Sequence, residues 1–249
     1  MTFRSGWDRS STGHRDARGD ARLKHGADLL AQNKPDSAAR VFRAVLKEFP
    51  DSAVGYALLA MALADLGRGR DALFSAELAL ARDPHLALSH AARACALETM
   101  GQAWEAEMEC RQAVACAPND PNRYSDLAGI VGRAGRYKEA LDITSKGLSL
   151  NPQHLPSLHC RALALVSLGR PDDAFEVLDS ALLEDEDLAQ LHASIGIVLE
   201  AKGDLDRAAE EFRESLRLDP AIKEARAGLA RMASRRNRLL PVNWLRKGR

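Results

Sequence analysis

The sequence predicts an all-α solenoid, and three columns of residues predict it. The chain of 249 residues repeats with a period of 34. Stepping by 34 from Ala140 lands on Ala38, Ala72, Ala106, Ala174 and Ala208, so all six register positions hold the same small residue. Five residues before these alanines stand Asn33, Gly67, Gly101, Gly135, Gly169 and Gly203. Twelve residues after them stand Pro50, Pro84, Pro118, Pro152, Glu186 and Pro220. Glycine ends a helix in a left-handed cap, and asparagine is the commonest other residue able to do so. Proline, with the preceding Asp83, Asn151 or Asp219, stops one helix and opens the next. The unit therefore reads helix A, tight turn, helix B, tight turn.

Twelve residues before each alanine lies a further small column, Gly26, Ala60, Ala94, Ala128, Ala162 and Gly196. Two small columns per unit mark where helix backbones approach closely, because a larger side chain would hold them apart. Pro35 and Pro171 fall in the first turn of a B helix, where the missing N–H costs nothing. Asp71, Glu105, Glu139 and Asp173 fall in the first turns of the B helices of repeats 2 to 5, where the helix dipole favours negative charge.

This order of small, aliphatic, Ala, aromatic, small and Pro positions resembles the tetratricopeptide repeat (TPR). The resemblance covers residues 19–222 as six tandem units, 19–52, 53–86, 87–120, 121–154, 155–188 and 189–222. It implies a right-handed α-α superhelical solenoid of TPR helix pairs, a quasi-linear domain in which each unit buries its apolar face against its neighbours. The position usually held by Trp carries Arg22, Tyr56, His90, Tyr124, Leu158 and His192, and the usual Tyr is Leu29, Leu63, Leu97, Val131, Leu165 and Leu199. These departures change packing detail only.

Residues 1–18 are polar and without period, and are expected to be a disordered tail. Residues 223–236 fit a capping helix, with Ala225, Leu229 and Met232 inward and arginines elsewhere. Residues 237–249 form a basic tail containing Trp244. The net charge of zero conceals a pattern: residues 1–24 hold six Lys/Arg and three Asp, and residues 225–249 hold eight Lys/Arg and no acid. The 21 basic and 32 acidic residues between them give a net of −11, an acidic solenoid with basic ends. No apolar leader and no run of about 18 apolar residues is present, which predicts a cytoplasmic protein, with a membrane-peripheral location through the tail as the alternative.

The four cysteines, Cys95, Cys110, Cys116 and Cys160, fall in predicted helices without a CxxC pair and read as small packed residues. No nucleophile elbow, Walker loop or HExxH is present, so the chain reads as a non-enzyme with no catalytic residue, cofactor or metal. Gly129, Gly132 and Gly135 form a GxxGxxG run that has the wrong order for a phosphate loop and no strand before it. The first two would soften helix A of repeat 4, as a place where ligand backbone approaches or as a weak point. The acidic run Glu184 to Asp187 reads as a solvated loop, with docking of a basic partner or of the chain's own tail as the alternative.

Function then rests on surfaces. In the TPR family the inner groove is lined by helix A, and transferring those positions here gives Val54, Leu58, Met61, Leu88, Cys95, Asn122, Asp126, Gly129, Arg133, His159, Leu163, Val166 and Ile197. A small-residued, apolar and mildly acidic groove suits an amphipathic helix or extended peptide with apolar anchors and some basic residues. TPR domains that grip chaperone C-termini place Lys and Asn, then Lys and Arg, where this chain has Leu23 and Ala27, then Leu88 and Ala92, so that clamp is absent. The expected function is a non-catalytic scaffold or adaptor. The alternative is a peripheral membrane or assembly factor acting through Arg235, Arg236, Arg238, Trp244, Arg246, Lys247 and Arg249 on an anionic membrane surface. Nucleic acid is disfavoured because the acidic groove would repel phosphate.

Overall fold

The computed structural model describes residues 17–182 and 189–239, in which thirteen helices and no strand occur. The N-terminal tail up to residue 16, the run Glu184 to Asp187 and the tail from residue 240 lie outside the described residues. The helices are α1 (Ala17–Ala31), α2 (Pro35–Glu48), α3 (Ala53–Asp65), α4 (Gly69–Arg82), α5 (Ala87–Thr99), α6 (Ala103–Cys116), α7 (Pro121–Arg133), α8 (Tyr137–Leu150), α9 (Leu155–Ser167), α10 (Pro171–Leu182), α11 (Ala189–Lys202), α12 (Leu205–Leu218) and α13 (Lys223–Leu239). The odd-numbered helices up to α11 are the A helices and the even-numbered ones the B helices. The chain divides into two compact units, Met1–Cys160 and Arg161–Arg249, with the boundary inside α9.

The glycine column does what its chemistry demands. Gly67, Gly101, Gly135, Gly169 and Gly203 have φ between 73° and 84°, and Asn33 is the one non-glycine at positive φ among the described residues, at 55°. In all six turns the following N–H reaches back to the carbonyl five residues earlier, from Lys34 to Leu29 (2.8 Å) through Asp204 to Leu199 (3.0 Å). This is the Schellman closure of a helix C-terminus. An added Cβ at Gly101 meets nothing within 4 Å. Gly101→Ala is therefore expected to cost about 1 kcal/mol from backbone conformation alone, while Asn33→Gly costs nothing. Urea unfolding of both variants checks this, and an unchanged midpoint for Gly101→Ala would refute it.

The proline column differs from expectation in one respect. Asp83, Asn151 and Asp219 end α4, α8 and α12, and the next helix begins four residues later. Their side chains accept from the N–H of His85 (3.0 Å), Gln153 (3.1 Å) and Ala221 (2.8 Å), an Asx turn that carries the chain around the proline. Only at Asp120–Pro121 does the pair open a helix directly, with Asp120 as the cap of α7. The boundary carbonyls explain why the Trp position tolerates polar residues. His90 Nε2 lies 3.0 Å from the Pro84 carbonyl, Tyr124 Oη donates to Pro118 (2.8 Å) and Arg226 to Pro220 (2.5 Å). In repeat 2, Arg82 stacks over Tyr56 at 4.3 Å and donates to the Pro50 carbonyl (3.0 Å).

Within the first unit α3 and α5 each pack on their own B helix, on the B helix before it and on the next A helix, as α5 does on α6, α4 and α7. The alanines of the repeat lie at 0–1% exposure at every repeat, and Ala60, Ala94, Ala128 and Ala162 at 0–2%, which is the close approach that the sequence required. Where this second column holds glycine instead, the opposing B helix carries phenylalanine. A Cβ on Gly26 would come within 2.3 Å of the Phe42 ring, and one on Gly196 within 2.6 Å of the Phe212 ring. In the second unit α13 packs on α12 and α11, with Ala225 fully buried and Leu229 and Met232 half-buried.

Candidate functional site

The groove positions transferred from the sequence fall on α3, α5, α7 and the start of α9 in the first unit, and on the rest of α9 and α11 in the second. Val54, Leu88, Cys95, Asn122, Asp126, Gly129 and His159 are half-buried and Arg133 is exposed. Leu58 and Met61 are different: at 4% and 5% exposure they belong to the hydrophobic core formed by α1 to α5. Helix α3 is apolar on every side, and a helix of that kind is buried all round, so its sequence could not show which apolar positions face out. In the second unit Leu163 is 39% exposed, and Val166 and Ile197 are half-buried.

The chemistry of the first unit gathers around α7. Asp120 accepts from the Asn122 N–H (2.9 Å) and side-chain amide (2.8 Å), which starts the helix. Arg123, one turn on, is buried at 4% exposure. Its Nε donates to Asp120 (3.1 Å) and its Nη1 stands 3.1 Å from Asp126 Oδ2. That second contact is an ion pair without hydrogen-bond alignment, since neither Nη1 nor Oδ2 has a hydrogen-bond partner. Burial raises the Asp126 carboxyl above its ordinary pKa; Arg123 opposes the shift, and Asp120 and Glu98 add to it. Asn122 in turn accepts from His154 Nε2 (3.2 Å), whose Nδ1 faces the Ser157 hydroxyl (2.9 Å). One nitrogen donating and one accepting is the neutral ring, and burial lowers the His154 pKa accordingly.

Glu98 on α5 and Arg133 on α7 form an ion pair across neighbouring A helices, and the Arg133 head lies over Gly129. An added Cβ at Gly129 would sit 3.3 Å from Arg133 Nη1. The guanidinium that ties repeat 3 to repeat 4 thus lies against this glycine, a contact its position in a GxxGxxG run did not disclose. At Gly132 an added Cβ meets only the Ala140 methyl at 3.9 Å, an ordinary contact.

Burial pushes the thiol of Cys95 up to about 12 and that of Cys160 up to about 11, with the Asp126 charge adding to both, and Cys110 goes further in the same direction. All four cysteines are free thiols. Thiols held protonated, as those of Cys95, Cys110 and Cys160 are, make poor nucleophiles and metal ligands. Among the described residues no group of three His, Cys, Asp or Glu side chains is placed to hold a metal ion, and no helix is long and apolar enough to cross a membrane. Of the tail cations, Arg235, Arg236 and Arg238 lie on α13, and Trp244, Arg246, Lys247 and Arg249 fall outside the described residues.

A stack of helix pairs with half-buried apolar and acidic side chains along its A helices is an α-helical repeat protein. Two tetratricopeptide repeat family profiles match residues 29–97 and residues 161–221 with 194–239, together more than half of the chain. The chain belongs to the tetratricopeptide repeat family, whose members bind protein partners. It is 31% identical over 97 residues to the Hsp70-Hsp90 organizing protein of Triticum aestivum, a match that spans 39% of this chain and 17% of that protein. Among solved structures it is similar to the APC/C hetero-tetramer Cut9-Hcn1 (TM-score 0.62, 21% identity, 86% of this chain and 42% of that one). A tetratricopeptide repeat protein of Parabacteroides merdae aligns with TM-score 0.62 and 15% identity over 89% of this chain and 88% of that one. Pseudomonas aeruginosa pilF aligns with TM-score 0.56 and 20% identity over 86% and 97%. These structural likenesses carry the fold.

Proposed function

We propose that this chain is a non-catalytic adaptor that holds a peptide or amphipathic helix of a partner protein along its A helices. The observation that carries the proposal is the mixture of apolar and acidic side chains there: half-buried Leu88, Cys95, Glu98 and Asp126 in the first unit, and exposed Leu163 with half-buried Val166 and Ile197 in the second. Apolar anchors of a ligand would fill the first kind of position, and its basic side chains would meet the second. The similarity to an Hsp70-Hsp90 organizing protein favours protein partners as a class. It does not favour a chaperone C-terminus, because Leu23 and Ala92 stand at two of the cationic or amide positions of that clamp and are buried at 4% and 0% exposure.

The test is affinity capture from a native extract with three baits: the wild type, Leu88→Glu with Leu163→Glu, and a chain ending at Ser234. Both substituted leucines are at least partly exposed, so circular dichroism is expected to be unchanged. Proteins lost only with the double variant support the groove reading. Proteins or membranes lost only with the truncation would move the function to the basic C-terminal tail and sink it.

A further inference from the structure

A carboxylate taken partly out of water keeps its charge by accepting hydrogen bonds, and the donors can be counted. Asp126 on α7 is half-buried, with 22% of its side chain exposed, and among the described residues it accepts none. Other half-buried carboxylates meet the demand: Glu98 accepts from Arg133, Glu107 from Arg111, Glu109 from Arg93 and Glu200 from Arg231. Asp20 and Glu224 also accept none, but they stand in the first turns of α1 and α13, where the helix dipole supports a negative charge. Asp126 stands in the middle of its helix.

Its two oxygens differ. Oδ2 is buried 3.1 Å from Nη1 of Arg123, and neither atom finds a hydrogen bond, although Arg123 is only 4% exposed. Oδ1, equally unbonded, is the oxygen left open to solvent. Helix α7 packs on α5, and Cys160 at the start of α9 donates to the Ser125 carbonyl (3.6 Å), so the carboxylate stands among apolar and thiol side chains. Its charge accordingly raises the pKa of both Cys95 and Cys160. Arg123 and Arg133 oppose the upward shift of its own carboxyl, and Asp120 and Glu98 add to it. These three carboxylates against two guanidiniums leave one negative charge over. Arg133 already holds Glu98 and Arg123 already holds Asp120, so the surplus sits on Asp126.

Resting on the adaptor reading above, we infer that Asp126 selects the ligand: its Oδ1 receives the one basic side chain, arginine or lysine, of a bound protein segment. That cation supplies the missing hydrogen-bond donors and cancels the surplus charge. Apolar residues of the same segment lie on Leu88 and Cys95, half-buried on α5. Glu98 and Asp120 do not compete for the cation, because their own arginines occupy them. A segment with an acidic side chain at this point is rejected by like charge.

The test selects peptides from a phage-displayed library of random sequences of about 12 residues on three full-length baits: the wild type, Asp126→Asn and Leu88→Glu. The wild type is expected to enrich sequences with one Arg or Lys beside apolar residues, and Asp126→Asn the apolar residues without it. In fluorescence anisotropy, replacing that cation by Gln in an enriched peptide should weaken binding to the wild type about tenfold and leave binding to Asp126→Asn unchanged. Because this second change lies in the peptide, no loss of fold can imitate the result. Asp126→Asn keeps the size of the side chain and removes a charge that detracts from stability, so its unfolding midpoint should not fall. Enriched peptides without a cation, or a cation whose loss weakens binding equally to both proteins, overturn the inference and leave the adaptor reading standing. No enrichment by the wild type over Leu88→Glu removes the adaptor reading, and this inference with it.

Discussion

Phe212→Ala is expected to destabilise the second unit by about 3–5 kcal/mol, among the largest effects available to a single side chain here. The ring is fully buried on α12, wedged between two glycines: an added Cβ would come within 2.6 Å of it from Gly196 on α11 and within 2.3 Å from Gly228 on α13. Removing it opens a cavity bounded by three helices. The reciprocal change, Gly196→Ala, should also destabilise, by about 1–3 kcal/mol of overpacking, even though alanine is the better helix former by about 1 kcal/mol. Repeat 5 shows the alternative solution, with Ala162 and Leu178 at the same two positions, both buried. Phe212→Leu combined with Gly196→Ala should therefore cost less than the two single changes summed, by roughly 1 kcal/mol of coupling. Urea unfolding of the four proteins measures the cycle, and strict additivity would show that ring and glycine do not share space.

That exchange of volume was present in the sequence but unread. Gly26 and Gly196 stood in the small column as equivalents of alanine, and only the ring positions of Phe42 and Phe212 show why those two repeats need glycine. The cap column was fully legible, because positive φ is a local demand that leaves few residue types able to meet it. The A-helix face was half legible. On α7 polar and apolar residues are interspersed, and Asn122, Asp126 and Gly129, the positions that the family resemblance implies, are half-buried. On α3 no polar residue interrupts the run from Ala53 to Ala64 except Tyr56, and Leu58 and Met61 proved to be core. Arg123 also went unread. A lone arginine on a helix reads as solvated, and its burial depends on Asp120 and Asp126 one turn to either side.

Arg123→Met should cost the first unit up to about 3–5 kcal/mol at neutral pH, the penalty for leaving the half-buried carboxylates of Asp120 and Asp126 without their buried cation. The size of the loss should depend on pH, and Asp126 sets the sign. Its folded pKa is raised, by burial first, so ionised Asp126 detracts from stability above that pKa, and the penalty disappears as pH falls below the unfolded value. Arg123 is the largest influence holding the shift down. Without it the folded pKa rises further and the penalty at neutral pH grows, but protonation now relieves it at a higher pH. The difference in unfolding free energy between wild type and Arg123→Met should accordingly narrow between pH 7 and about pH 5. Asp126→Asn added to Arg123→Met should recover part of the loss at pH 7 and little at the lower pH. If the variant loses the same free energy at both pH values and Asp126→Asn recovers none of it, the cost comes from the missing packing of the arginine stem. The ion pair would then be a consequence of the fold at α7 rather than one of the interactions that hold it.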